Sequence, residues 1–247
     1  MSFEKLKNLD NQIAVITGAN GKIGRAICKR LAELGATVYG IVRNQQEELQ
    51  NFLNILGPTH RAILCDVTDS KRLNEVAKEF TRCDILINTA GKSKIISHSN
   101  LIDLSEEEFN NLIRTNLTSV YLTIQAFLNA LKESKNALVI NISSASSIRG
   151  GGSNVAYTAA KAGVDSLTKN FAIAFAPNIR FIALNPGMVN TGFVSFSHDQ
   201  INQATKNTPL KRITTVDDIA NTVEAFATVL RFTTGNRFVI DGGQYQS

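Results

Sequence analysis

Short runs of β-branched and aliphatic residues alternate along this chain with longer stretches in which apolar positions recur every three or four residues. Residues 13–17, 37–42, 61–65, 84–87, 137–142, 179–184 and 237–240 carry the first pattern and are predicted to be strands. Residues 23–34, 45–56, 70–80, 105–131, 154–175 and 215–229 carry the second and are predicted to be helices. Strands that are apolar at nearly every position are buried on both faces. The pattern therefore implies a parallel sheet covered on each side by helices and wound through right-handed crossovers. No Pro/Gly/Ser-rich linker, composition break or internal repeat divides the chain, so residues 1–247 are read as one domain.

The expected fold class is α/β, a three-layer Rossmann-type doubly wound sheet of about seven strands. In such sheets ligands bind beyond the carboxyl ends of the strands. The glycine and polar clusters fall there: Gly18 to Gly24 after the first strand, Arg43 after the second and Asp66 after the third. Asn88 to Gly91, Ser144 and Pro186-Gly187 follow the next three. Each cluster alone is ordinary turn punctuation; their shared position at strand ends marks a site.

The segment from Ile13 to Ile27 runs from an apolar strand through a glycine loop into a helix. Glycines there let the backbone approach a pyrophosphate at a helix N-terminus, where free amides and the helix dipole favour an anion. A dinucleotide is implied. After the second strand a carboxylate would bind an unphosphorylated adenosine ribose and an arginine would meet a 2′-phosphate. The chain offers Arg43 and no acid, with Lys22 as a second cation, which favours NADP(H) and leaves NAD(H) open.

Tyr157 and Lys161 stand one helical turn apart on the same face of the helix predicted over residues 154–175. An ammonium beside a phenol favours the phenolate and lowers a pKa that is ordinarily near ~10. Ser144 would donate a hydrogen bond to a substrate oxygen. The three together are suited to proton exchange with a carbonyl or alcohol.

The 247 residues carry a formal net charge of +5, but the basic residues are scattered and not interleaved with aromatics, so no nucleic-acid partner is expected. Cys28, Cys65 and Cys83 lack C-x-x-C spacing and read as buried, reduced thiols. The three histidines form no ligand motif, and no catalytic metal is expected. No apolar run is long enough to span a bilayer, and Met1 to Lys7 lacks the apolar core of a secretory signal. A cytoplasmic protein with no membrane partner is expected.

These motifs, in their order and spacing from Asn11 to Asp241-Gly242-Gly243, resemble those of the short-chain dehydrogenase/reductase family, and in particular its ordinary single-domain subclass, including 3-oxoacyl-(acyl-carrier-protein) reductase-like members. The resemblance assigns Asn116, Ser144, Tyr157 and Lys161 as catalytic. Tyr157 would transfer the proton, Lys161 would grip the nicotinamide ribose and lower the tyrosine pKa, Ser144 would orient the carbonyl, and Asn116 would support a water leading to Lys161. For the cofactor it implies Gly18, Asn20, Gly21, Lys22, Ile23 and Gly24 in the loop, with Arg43, Asp66 and Val67 beyond it. Asn88, Ala90, Gly91, Tyr157, Lys161, Pro186, Gly187, Val189 and Thr191 complete that set.

Two departures stand out. Lys22 occupies the position where the ordinary subclass has glycine, giving G-x-x-G-x-x-G, a spacing similar to that of the sugar-nucleotide-modifying subclass. Thr89 replaces a common asparagine.

Residues 188–208 are longer than a tight connection and are read as a substrate lid. Ser146, Gly151, Met188 and Phe193 are the candidate substrate contacts, with the glycines at 150–152 leaving one wall open. The resemblance also implies a homotetramer, or a dimer, built through the helices predicted at 105–131 and 154–175. The expected activity is NADP(H)-dependent interconversion of a small-molecule ketone and a secondary alcohol, with a 3-oxoacyl thioester as one substrate class. Lys132 and Lys135 would be available to an acidic carrier. The alternatives are an epimerase or dehydratase acting on a nucleotide sugar with retained cofactor, and a dinucleotide-binding regulator without turnover.

Overall fold

The computed structural model describes residues 8–244; the reading of Met1 to Lys7 lies outside them. The seven strands are β1 (Ile13–Thr17), β2 (Thr37–Val42), β3 (Arg61–Leu64), β4 (Ile85–Asn88), β5 (Ala137–Ile142), β6 (Ile179–Pro186) and β7 (Arg237–Ile240). They form one parallel sheet in the order β3-β2-β1-β4-β5-β6-β7, so the winding reverses between β1 and β4. Ligand crevices of doubly wound sheets open at that reversal.

The helices are α1 (Lys22–Glu33), α2 (Gln46–Leu56), α3 (Ser70–Ala77), α4 (Glu106–Ile113), α5 (Ser119–Lys132), α6 (Ser146–Arg149), α7 (Val155–Phe175), α8 (His198–Asn207) and α9 (Val216–Thr228). Alternate residues of each central strand point to opposite faces. In β1, Ala14 and Ile16 meet Ile27, Leu31, Val223 and Phe226 of α1 and α9. Val15 of the same strand points to the other core, with Leu73, Ile124, Phe127 and Val164 of α3, α5 and α7. Full burial of each such side chain stabilises the fold by about 1.5–3 kcal/mol, which is why the strands read as unbroken apolar runs.

Two elements differ from the sequence reading. The helix predicted over 105–131 is interrupted by a π-helical turn at Arg114–Thr118, which separates α4 from α5 and turns Asn116 inward. Turns of this kind are often found at functional sites. The segment 188–208, read as a lid, contains α8, which starts at a capping box in which Ser197 and Gln200 satisfy each other's backbone N–H.

Candidate active site

The residues expected at strand ends converge at the carboxyl edge of the sheet. Past β5 the chain continues beside β6, with Ser143 N–H donating to Leu184 O at 2.7 Å and Ala145 N–H to Pro186 O at 2.9 Å. Ser144 lies between these two contacts. Its Oγ accepts from Ser146 Oγ at 2.9 Å and from Ser146 N–H at 3.2 Å. Ser146 is a candidate substrate contact in the sequence. It is instead buried beneath Ser144 and spends its hydroxyl hydrogen on it.

Helix α7 brings Tyr157 to Ser144. Its N-cap, Asn154, accepts the Tyr157 N–H at 2.8 Å through Oδ1 and donates to Lys94 O at 2.7 Å through Nδ2. The start of α7 is thereby tied to the loop after β4. Sequence reasoning did not single out Asn154; an asparagine directly before an apolar-periodic run was the available signal. The Ser144 hydroxyl is near enough to the Tyr157 hydroxyl to favour its charged form.

Lys161 follows one turn later. It is buried, its Nζ lies 5.7 Å from the Tyr157 ring centre, and it donates to Ile142 O at 2.7 Å. The expectation that this ammonium lowers the phenol's pKa is corrected: burial dominates both groups. It pushes Tyr157 up to about 12, against the nearby Ser144 hydroxyl, which favours the charged form. It also pushes Lys161 down to about 8, against the carboxylate of Asp165. Each charged form has lost more hydration than its neighbours return.

Asn116 is fully buried in the π-helical turn. Its Nδ2 donates to Lys92 O at 2.8 Å and Leu112 O at 2.9 Å, and its Oδ1 accepts from Lys92 N–H at 3.1 Å. The side chain shapes the β4–α4 loop through these contacts. Gly91 passes so close that an added Cβ would stand 2.9 Å from Asn116 Oδ1.

The glycine loop fits a dinucleotide. Gly18 has φ +63°, and a Cβ there would meet Ala90 backbone at 2.8 Å; a Cβ on Gly24 would lie 2.5 Å from Gly18 O. These two glycines are sterically required. Gly21 is not: it has an extended conformation, and its Cβ would touch only Gly18 O at 3.4 Å. The first turn of α1 holds no acidic residue and its N-cap makes no side-chain cap, so an anion would meet free amides there. Ile23 packs on the core, and Lys22 is exposed at the first position of α1.

Around the loop, Asn20 Nδ2 donates to Gln45 Oε1 at 3.3 Å and Asn20 Oδ1 accepts from Arg25 Nε at 3.0 Å. Arg25 also pairs with Glu48. Arg43 is exposed after β2 and makes no ion pair among the described residues. Asp66 Oδ1 accepts from Thr68 N–H and Oγ1, both at 2.8 Å, while the Val67 side chain packs in the core. Thr89 Oγ1 donates to Thr17 O at 2.5 Å and Thr17 Oγ1 accepts from Ala90 N–H at 3.3 Å, so the threonine departure joins the ends of β1 and β4. Asn88 Nδ2 donates to Asn141 Oδ1 at 2.8 Å.

On the far side, Gly187 lets Asp241 approach, Met188 O accepts from Thr214 N–H at 3.1 Å, and Val189 bridges to Thr214. Thr191 Oγ1 accepts from Phe193 N–H at 3.2 Å. Phe193 is half exposed, with its ring 6.3 Å from that of Tyr157. Gly151 has φ +75° and nothing within 4 Å of where a Cβ would stand, so that wall is open. Lys135 lines a separate cavity at the opposite, amino-terminal edge of the sheet, together with Arg82 and Arg180. It is not beside this site.

Cys28, Cys65 and Cys83 are buried and free, as the sequence implied. Burial pushes the Cys28 thiol up to about 12 and Cys65 up to about 11. Among the described residues no group of three or more His, Cys, Asp or Glu could hold a metal ion, and no helix is long and apolar enough to cross a membrane.

The doubly wound sheet, the glycine loop and the Ser144-Tyr157-Lys161 cluster define a Rossmann-type α/β protein with a candidate site at the carboxyl edge of its sheet. The family model described as enoyl-(acyl carrier protein) reductase matches residues 18–244. The 3-oxoacyl-(acyl-carrier-protein) reductase FabG of Escherichia coli is 33% identical over 248 residues, covering 96% of this chain and 99% of that protein. Among solved structures, a gluconate 5-dehydrogenase from Burkholderia cenocepacia in complex with NADP and tartrate matches with a TM-score of 0.90 at 26% identity, covering 98% of this chain and 99% of that one. A 3-ketoacyl-(acyl-carrier-protein) reductase from Brucella melitensis complexed with NADH matches with a TM-score of 0.86 at 25% identity, covering 96% and 100%. The chain belongs to the short-chain dehydrogenase/reductase family. It is an NAD(P)-dependent oxidoreductase acting on CH–OH groups.

Proposed function

We propose that this protein interconverts a ketone and a secondary alcohol with NADP(H), using Tyr157 as proton donor and acceptor. The observation that carries the reading is the placement of Tyr157 one helical turn from Lys161, whose Nζ lies 5.7 Å from the tyrosine ring, beside Ser144 at the sheet edge where the glycine loop opens. Bound cofactor would supply the hydride. The chain supplies the rest. Ser144, held from below by Ser146, polarises the substrate oxygen. Tyr157, with its pKa near 12, is protonated at neutral pH and suited to donate in the reductive direction. Lys161 provides a cation beside the phenol and the nicotinamide ribose, and Asn116 fixes the loop that walls the site.

For the cofactor, Gly18, Gly21, Gly24 and the amides opening α1 would hold the pyrophosphate, with Asn20, Lys22 and Ile23 completing the loop. Arg43 would meet the 2′-phosphate, which favours NADP(H) over NAD(H). Asp66 and the Val67 backbone would border the adenine, and Asn88, Ala90 and Gly91 the adenosine ribose. Pro186, Gly187, Val189 and Thr191 would seat the nicotinamide. The complexes named above include one with NADP and one with NADH.

Likeness to 3-oxoacyl-(acyl-carrier-protein) reductases over nearly the whole of both chains favours a 3-oxoacyl thioester as substrate. The open wall at Gly151 and the half-exposed Phe193 and Ile95 would admit an acyl chain, with Met188 and Phe193 on a cover formed by residues 188–208. Exposed Tyr121 on α5 and Ile173 on α7 support an oligomer, a tetramer or dimer, built through those helices. The reduced thiols fit the cytoplasm.

The test is cofactor consumption at 340 nm with an acetoacetyl thioester, cyclic ketones, diketones and ketoses, run with NADPH and with NADH. Turnover of the thioester with NADPH is expected. Tightly retained cofactor with no net consumption on any ketone would overturn the reading in favour of epimerase chemistry.

A further inference from the structure

We propose that Asp165 is a positioning residue for this reaction: its carboxylate fastens the loop carrying Ser144 to helix α7 and is the partly buried counter-charge that stands one helical turn from Lys161. The proposal rests on the catalytic reading of Ser144, Tyr157 and Lys161. Asp165 follows Lys161 by one turn, as Lys161 follows Tyr157, so the three lie along one face of α7.

Three separate elements meet at this carboxylate. The Ser147 hydroxyl lies 2.6 Å from Asp165 Oδ2 and 2.7 Å from Ser144 O, sharing its hydrogen between them. Asn185 Nδ2, at the end of β6, lies 3.0 and 3.1 Å from the two carboxylate oxygens and 3.1 Å from Ser144 O. Both donors thus touch the Ser144 backbone and Asp165 together. The spacing of Ser144 from the helix bearing Tyr157 is set through them.

The charge argument builds on that placement: Asp165 is fixed one helical turn from Lys161 without forming a direct ion pair with it, so its charge acts on the ammonium at longer range. From β5 the Ile142 carbonyl accepts from Lys161 Nζ, and from the loop after it the Ser143 hydroxyl donates to the Lys161 backbone carbonyl; both groups are neutral, and the Asn185 amide of β6 is spent on Asp165. From α7 itself come Tyr157 and Asp165. The carboxylate opposes the burial that drives Lys161 toward its neutral form. Without it the lysine would lose its proton at a lower pH.

The test is a 13C NMR titration of ε-labelled lysine in wild type and Asp165→Asn, with the Lys161 signal assigned by its loss in Lys161→Arg. The asparagine keeps an acceptor for Ser147 and removes the charge. The Lys161 midpoint is expected to fall by roughly one unit or more, and the high-pH limb of kcat should move down by the same amount. A midpoint and limb that match wild type would overturn the counter-charge role. A uniform loss of kcat at every pH, in parallel with a lowered Tm, would mark Asp165 as merely structural and overturn it too.

Near-normal turnover in Lys161→Ala would sink the underlying catalytic reading; loss in that variant together with an unmoved Asp165→Asn profile sinks the Asp165 role alone. Should Asp165→Asn not fold, Ser147→Ala and Asn185→Ser test the anchor: kcat is expected to drop several-fold at unchanged NADPH affinity, and unchanged kcat in both overturns the proposal.

Discussion

The side-chain amide of Asn116 grips the backbone of Lys92 at both ends, accepting its N–H at 3.1 Å and donating to its carbonyl at 2.8 Å. A π-helical turn between α4 and α5 makes this possible, because it points a fully buried amide at the start of the loop that Asn154 ties down further along through Lys94 O. Asn116→Ala leaves the Lys92 groups and the Leu112 carbonyl short of a partner. Its expected cost is about 1–3 kcal/mol of stability, read by urea denaturation, together with a drop in kcat as the loop loosens. A variant as stable as wild type would show that the amide is not what holds the loop.

Tyr157→Phe removes one hydroxyl from a packed site and little else. Turnover should fall on the order of 10²–10⁴-fold, while NADPH affinity stays within about twofold of wild type. Steady-state assay and a fluorescence titration of NADPH check both halves. Retained turnover would show that the proton travels by another group.

Much of this site was legible before the fold was. Strand ends could be read because buried strands are nearly unbroken apolar runs, and the polar residues that close or follow each run, such as Thr17, Asn88 or Ser144, had to lie at the sheet edge. The pairing of Tyr157 with Lys161 follows from helical spacing alone. What the sequence hid depends on burial and on contacts distant along the chain. The sign of the tyrosine shift was misjudged because sequence gives the neighbouring cation and not the lost hydration. The π-helical turn at Asn116 leaves no mark on apolar periodicity. The α8 capping box, Ser197 with Gln200, was visible as Ser-x-x-Gln, but its few apolar positions hid the helix behind it.

The glycine loop separates required from incidental glycines. Gly18→Ala would force a Cβ against Ala90 and hold it at positive φ, and Gly24→Ala would drive one into Gly18 O. Both should lower Tm markedly and abolish cofactor binding. Gly21→Ala meets only an ordinary contact and should leave Tm within a few degrees. Thermal melts with and without NADPH test this. Equal damage at all three positions would mean that the odd spacing of the loop matters more than its sterics.

Arg43 stands exposed past β2 with no carboxylate in contact, whereas Arg25 is already committed to Glu48 and Asn20. A 2′-phosphate would therefore draw on Arg43. Arg43→Ala should weaken NADPH about tenfold, the value of one charge-assisted hydrogen bond, and leave NADH nearly unchanged. Parallel titrations decide it, and equal losses for the two cofactors would remove Arg43 from the phosphate site.

Lys161 should also leave a signature in stability against pH. Its folded pKa, near 8, lies below the unfolded value of 10.5, so between these limits the unfolded chain binds more protons than the folded one. Stability from this group therefore rises with pH across that window, and the cost of burying the ammonium is fully felt only below it. Lys161→Met removes the charge and leaves the Ile142 carbonyl without its donor, a loss that is the same at every pH. The stability of the variant relative to wild type should accordingly be greatest near pH 7 and decline by roughly 2 kcal/mol by pH 10. Taking the difference between the two proteins cancels the opposite trend of Tyr157, which enters above pH 10. A difference that stays flat from pH 7 to 10 would mean that Lys161 keeps its ordinary pKa in the folded protein, and that burial does not govern the site's charge.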